Sequence, residues 1–80
     1  MDGIKKKQFV KDLQPGDIVD SQFLVVNKKY FNFKKAIGKY LVVTLADKTG
    51  EIQAKIWDEA EVKGKRFRSG RVVHVIGEVV

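Results

Sequence analysis

The sequence predicts an all-β domain, a small Greek-key barrel with one short helix, on three observations. Short runs of β-branched and aromatic residues alternate in polarity, glycines and the single proline sit between those runs, and only one stretch carries a helix-start signal. With 80 residues and no internal repeat, the chain makes one domain. A chain this short buries only about 60% of the surface its unfolded form exposes. Its 44% hydrophobic residues therefore build one modest core, and no large enclosed active site is expected.

The elements follow in order. Pro15-Gly16-Asp17 is a turn signal that releases the chain into a first strand over about residues 18–28. Its alternation slips near Ser21-Gln22, because Val19, Phe23 and Val25 share one parity while Ile18, Leu24 and Val26 share the other. A bulge or strong coil there would let one strand serve two faces. Residues 39–46 alternate cleanly, with Leu41, Val43 and Leu45 toward the core and Tyr40, Val42 and Thr44 outward. Asp47-Lys48-Thr49-Gly50 forms a four-residue turn into a third strand, making an antiparallel hairpin. In that strand Ile52, Ala54 and Ile56 point inward, and Gln53, Lys55 and Trp57 share the outer side with Tyr40. Asp58 has the position of an N-cap with Glu61 at the third helical position, and Gly64 ends that helix early. Ser69-Gly70 turns the chain into a last strand with Val73, Val75 and Val79 in the core and Gly77 at a bulge or bend.

Charge narrows the class of partner. Sixteen Lys and Arg against ten Asp and Glu give a net charge of +6, which favours polyanions. The excess is local: residues 28–40 hold five lysines and no acid, and residues 63–71 hold five basic residues and no acid. The absence of cysteine excludes a disulfide framework and a thiolate zinc site, and fits a cytoplasmic domain. No stretch approaches the roughly 20 apolar residues of a membrane helix, and the start has no apolar run behind its lysines, so neither membrane nor secretion is indicated.

The segments LQPGDIVDSQFLVVNKK, GKYLVVTLADKTGEIQAKIWD and SGRVVHVIGEV together resemble the OB-fold nucleic-acid-binding family. They are most similar to the N-terminal OB domain of 3′-to-5′ exoribonucleases that carry a separate HD phosphohydrolase domain. Anticodon-binding domains of aminoacyl-tRNA synthetases look similar to a lesser degree. The resemblance covers residues 13–80, leaving residues 1–12 as a basic N-terminal arm in which Lys5, Lys6 and Lys7 add long-range attraction. It implies a five-stranded barrel, yet only four strands are found. The barrel is therefore expected to be incomplete, with its open edge closed by strand exchange, by homodimerisation or by the N-terminal segment. The HD domain, and with it the family's nuclease chemistry, has no counterpart in these residues, so a nuclease domain is expected in a longer parent chain.

The resemblance also implies a site. Across the outer face of the second and third strands, Tyr40 and Trp57 would stack on bases, Lys55 would meet phosphate, and Thr44 and Gln53 would hydrogen-bond base edges. From the preceding loop, Lys28, Lys29, Lys34, Lys35 and Lys39 would line the backbone path, with Tyr30, Phe31 or Phe33 as a further platform. Each has a plainer reading beside it. Phe31 and Phe33 are expected to fold back over the barrel, whereas for Trp57 the alternative is to cover the helix or a dimer interface, and for the lysine run it is a solvated face. Lys63, Lys65, Arg66, Arg68 and Arg71 fall off the usual binding side. His74 is the only histidine, on an outer position with no evident catalytic partner, and the acids sit in turns and caps, so no enzyme, metal or cofactor is expected. Two functions remain: a non-catalytic module binding single-stranded RNA or DNA with low sequence specificity, and a β-module for protein interaction or homo-oligomer assembly.

Overall fold

The computed structural model describes residues 8–80. A short 3-10 turn at Val10–Asp12 leads into four strands and one helical turn: β1 (Ile18–Asn32), β2 (Lys39–Asp47), β3 (Gly50–Ile56), α1 (Ala60–Gly64) and β4 (Val72–Glu78). All pairings are antiparallel and the spatial order is β3-β2-β1-β4. That order, with the fourth strand returning beside the first, is the Greek key. The connection that carries the chain back contains α1, which lies against β2.

The core is the inner face of this sheet: Val19, Phe23 and Val25 from β1, Leu41, Val43 and Leu45 from β2, and Ala60 from α1. Burying each of the larger side chains contributes about 1.5–3 kcal/mol. Ile52, Ala54 and Ile56 of β3 and Val73, Val75 and Val79 around β4 pack against it at half-burial, as the alternation predicts.

The irregularity of β1 falls later than predicted. Residues 19, 21, 23 and 25 all face inward without a slip, and Ser21 is buried with its hydroxyl donating to the Gln8 carbonyl at 3.0 Å. The bulge instead separates Val25 from Asn27, where the β1–β2 register shifts. The reason is tertiary: the Val25 carbonyl accepts from Gly70 N–H at 2.7 Å, and Val25 N–H donates to Arg71 at 2.8 Å. Gly70 holds φ +87°, which a residue with a Cβ rarely adopts. Before the bulge β1 pairs with β4, and beyond it with β2 alone. The extra residue reverses the parity, so Lys28 and Tyr30 turn inward.

Two further expectations are corrected. The helix starts at Ala60, after Glu59 in the left-handed region at φ 52° with no side-chain cap, so Asp58 does not cap it. Gly77 pairs with Val19 in an unbroken register and makes no bulge. The β2–β3 turn is as predicted. Asp47 Oδ1 accepts from Thr49 N–H at 2.8 Å and from the Thr49 hydroxyl at 2.5 Å. Asp47 Oδ2 also accepts from Val10 N–H at 2.9 Å, tying residues assigned to the arm onto the sheet. Lys5, Lys6 and Lys7 lie outside the described residues.

Among the described residues the sheet does not close. Between β3 and β4 a cleft of ≈ 940 Å³ opens onto the core, walled by Ile52, Ala54, Val73 and Val75, with Leu13 and Val79 contributing. No helix among the described residues is long and apolar enough to cross a membrane.

Candidate nucleic-acid interface

The β1–β2–β3 registers build the outer face as three rows. Asn27 pairs with Thr44 and Thr44 with Gln53; Lys29 pairs with Val42 and Val42 with Lys55; Phe31 pairs with Tyr40, and Trp57 follows directly after β3 on Tyr40's far side. Directly paired residues share a face, so one surface carries a row of amide and hydroxyl groups, a row with lysines at both ends, and a row of aromatic rings.

The aromatic row is a continuous cluster. Tyr40 and Trp57 have ring centroids 4.7 Å apart, and Phe31 stacks on Tyr40 at 5.6 Å with a 20° interplanar angle. Phe33 joins from the loop at 5.6 Å from Tyr40 and 6.3 Å from Trp57. Its position follows from a tight connection: Phe33 N–H donates to Gly38 at 3.1 Å, and Gly38 at φ +121° turns the chain under the ring. The expectation that Phe31 and Phe33 cap the barrel is therefore corrected; they face outward beside Trp57, which is 56% exposed. The cluster shields each ring's apolar surface with its neighbours and still leaves ring faces open at its rim.

Cations border the rings. Lys55 Nζ lies 5.6 Å from the Trp57 centroid and Lys29 Nζ 5.3 Å from that of Phe31. Lys34 and Lys35 are exposed in the loop that carries Phe33.

Of the residues the sequence singled out, Lys29, Phe33, Tyr40, Thr44, Gln53, Lys55 and Trp57 come together on this surface, with Lys34 and Lys35 at its rim. Three do not. Lys39 pairs with Asn32 and by alternation leaves the Tyr40 face. Tyr30 packs against the core. Lys28 reaches under the sheet, where its ammonium donates to the carbonyls of Gly64 and Phe67 and sits 4.9 Å from the Phe67 ring centre. It caps the end of α1, where carbonyls lack helical partners. Asn27 is the residue that sequence reasoning missed: its place on the face follows only once the bulge after Val25 is known.

Elsewhere, His74 Nε2 lies 2.6 Å from Asp20 Oδ1, a carboxylate partner that the sequence did not suggest. Both side chains are more than half exposed, at 53% and 67%, on the opposite part of the sheet. Among the described residues nothing nucleophilic completes the pair.

A Greek-key sheet presenting stacked aromatics bordered by lysines belongs to the class of small β-barrel binding domains. The particular family follows from comparison: the chain belongs to the OB-fold nucleic acid binding domain family, whose model matches residues 24–80. It is also similar to curated proteins named 3′-5′ exoribonuclease YhaM. The protein of Halalkalibacterium halodurans is 36% identical over 67 residues, which are 82% of this chain and 20% of that protein. Those of Listeria welshimeri and Listeria monocytogenes are 32% and 29% identical, over 85% of this chain and 21% of theirs. The chain thus spans about a fifth of the length of these relatives. No solved structure matches it significantly.

Proposed function

We propose that this domain binds single-stranded RNA or DNA, without catalysis of its own, across the outer face of β1, β2 and β3. One observation carries the reading: a four-ring aromatic cluster with lysine ammonium groups at its edge, on an exposed surface. Single strands offer base faces and a regularly spaced negative charge, and those are the two things this surface complements. Trp57 and Tyr40 stack on bases, Lys29, Lys55, Lys34 and Lys35 meet the backbone, and low sequence specificity follows because every base has an apolar face. The relatives named as exoribonucleases support an RNA strand, and their greater length supports a role of this domain in holding substrate for chemistry located in other domains. A cytoplasmic setting fits the cysteine-free composition.

The test is Trp57 fluorescence during titration with a short mixed-sequence single strand at low and high salt, beside a Trp57→Ala variant followed with a labelled strand. Quenching that fades with salt, and binding weakened about 5- to 150-fold in the variant, are expected from the loss of one stack of ~1–3 kcal/mol. Absence of quenching together with equal binding by both proteins overturns the reading.

The open cleft favours a second reading, assembly through the free edges of β3 and β4 with a second copy. A mass that doubles with concentration in sedimentation, with no binding of single strands, would select it.

A further inference from the structure

The row at the far end of the face from the aromatic cluster differs from the rest in chemistry. Asn27, Thr44 and Gln53, together with Glu51, Val26 and Ile52, line a hollow of ≈ 320 Å³. No lysine or arginine among the described residues lines it, so phosphate finds no counter-charge there, and the Glu51 carboxylate repels one. Among the described residues, the side chains of Asn27, Thr44, Glu51 and Gln53 make no hydrogen bond to another residue. Four polar groups thus converge on an open hollow with their capacity unspent.

Their donor and acceptor inventory is specific. Each carboxamide presents one acceptor and one donor side by side, whereas the ionised Glu51 only accepts. A carboxamide matches an edge with an amine next to a bare ring nitrogen, as on adenine or cytosine, and turned over it matches the carbonyl and ring N–H of uracil, so the choice between them falls to Glu51. An exocyclic amine has two hydrogens, so it can donate to a carboxamide oxygen and to Glu51 together. Uracil places a carbonyl oxygen where that amine would be, facing a carboxylate that cannot donate to it.

The hollow is also placed for this task. Along a strand, alternate residues are about 6.6–6.8 Å apart. The amide row therefore sits roughly 13 Å from the aromatic row, with the lysine row between them. A strand whose bases stack on Tyr40 and Trp57 and whose phosphates meet Lys29 and Lys55 is carried directly to it.

We infer that Asn27, Glu51 and Gln53, flanking Thr44, form a nucleobase pocket that selects amine-bearing bases, adenine and cytosine, over uracil at one position of the bound strand. The inference rests on the nucleic-acid reading above and adds to it a base preference that the aromatic cluster cannot supply.

The experiment measures binding of labelled hexamers of rA, rC and rU by fluorescence anisotropy at one salt concentration, for the wild type, Glu51→Gln and Asn27→Ala. The rC to rU ratio is decisive, since two pyrimidines differ little in stacking. Wild-type protein is expected to hold rA and rC about tenfold more tightly than rU, within the discrimination of one good bidentate contact. Glu51→Gln supplies a donor and should bring rC and rU within about twofold. Asn27→Ala should weaken all three hexamers and leave the rC to rU ratio in place, because its carboxamide serves either edge and Glu51 makes the choice. Equal wild-type binding of rC and rU, a ratio that survives Glu51→Gln, or an Asn27→Ala protein that binds all three as the wild type does, overturns the pocket alone. Failure to bind any hexamer overturns the nucleic-acid reading along with it.

Discussion

Lys28 and Lys29 are neighbours of identical chemistry on opposite faces, and replacing each by methionine separates structure from binding. Lys28 donates to two backbone carbonyls, those of Gly64 and Phe67, from a half-buried position. Lys28→Met leaves both carbonyls without that partner and removes the ammonium from the Phe67 ring. Charge-assisted hydrogen bonds of this kind contribute about 1.5–3 kcal/mol each before the retained apolar packing is set against them, so a net loss of roughly 2–4 kcal/mol is expected. For a domain of this size that lowers Tm by roughly 10–20 °C. Lys29 is exposed, with its ammonium over the Phe31 ring, so Lys29→Met should change stability by less than about 1 kcal/mol. Binding should respond in the reverse sense. Lys29, Lys34, Lys35 and Lys55 on and around the face imply a slope of log affinity against log salt near −2.8, from ~0.7 per phosphate on a single strand. Lys29→Met should reduce that to about −2.1, whereas folded Lys28→Met keeps the wild-type slope. Thermal unfolding and salt-series anisotropy measure the two effects separately. A Lys28→Met protein of unchanged Tm and shallower slope would refute the placement of both lysines.

Three further outcomes follow from the same geometry. Gly64→Ala puts a Cβ onto the Tyr30 hydroxyl and 3.0 Å from Leu41 Cδ2, so chemical denaturation should show a loss of about 1–3 kcal/mol. Asp47→Ala frees Val10 N–H and both Thr49 groups, and should cost about 1–2 kcal/mol with faster amide exchange at Val10 and Thr49. Asp20→Asn, by contrast, breaks an exposed pair with His74 and should move stability by less than about 1 kcal/mol at any pH; a larger change at neutral pH would mean the pair bears on folding.

Strand content, the β2–β3 hairpin and its inward row were all legible because they are local. Alternation at period two selects the faces of a strand, and Asp47 and Gly50 set the turn that aligns β2 with β3. Once that hairpin is drawn, Tyr40, Thr44, Gln53, Lys55 and Trp57 must share one side, which is why most of the candidate face emerged from the chain alone. The lysine-rich segment was less legible. It read as a loop after residue 28, whereas β1 runs to Asn32 and carries Lys29 and Phe31 onto the face as strand residues. Periodicity could not reveal this, because Lys28-Lys29-Tyr30-Phe31-Asn32 pairs like residues side by side and has no alternating apolar row to mark the core.

The sequence by itself determined the class of fold, the hairpin at its centre and the identity of most residues on its outer surface, since each follows from near-neighbour patterning. Only the tertiary structure decided where the bulge lies, because its position depends on Val25 pairing with Gly70 and Arg71, far along the chain. That single inserted residue assigns Lys28 to the helix end, Lys29 to the outer face beside the aromatic rings and Asn27 to the hollow proposed above as a nucleobase pocket. Parity along a strand is a local rule, but the point at which it reverses is set by the partners that the strand meets.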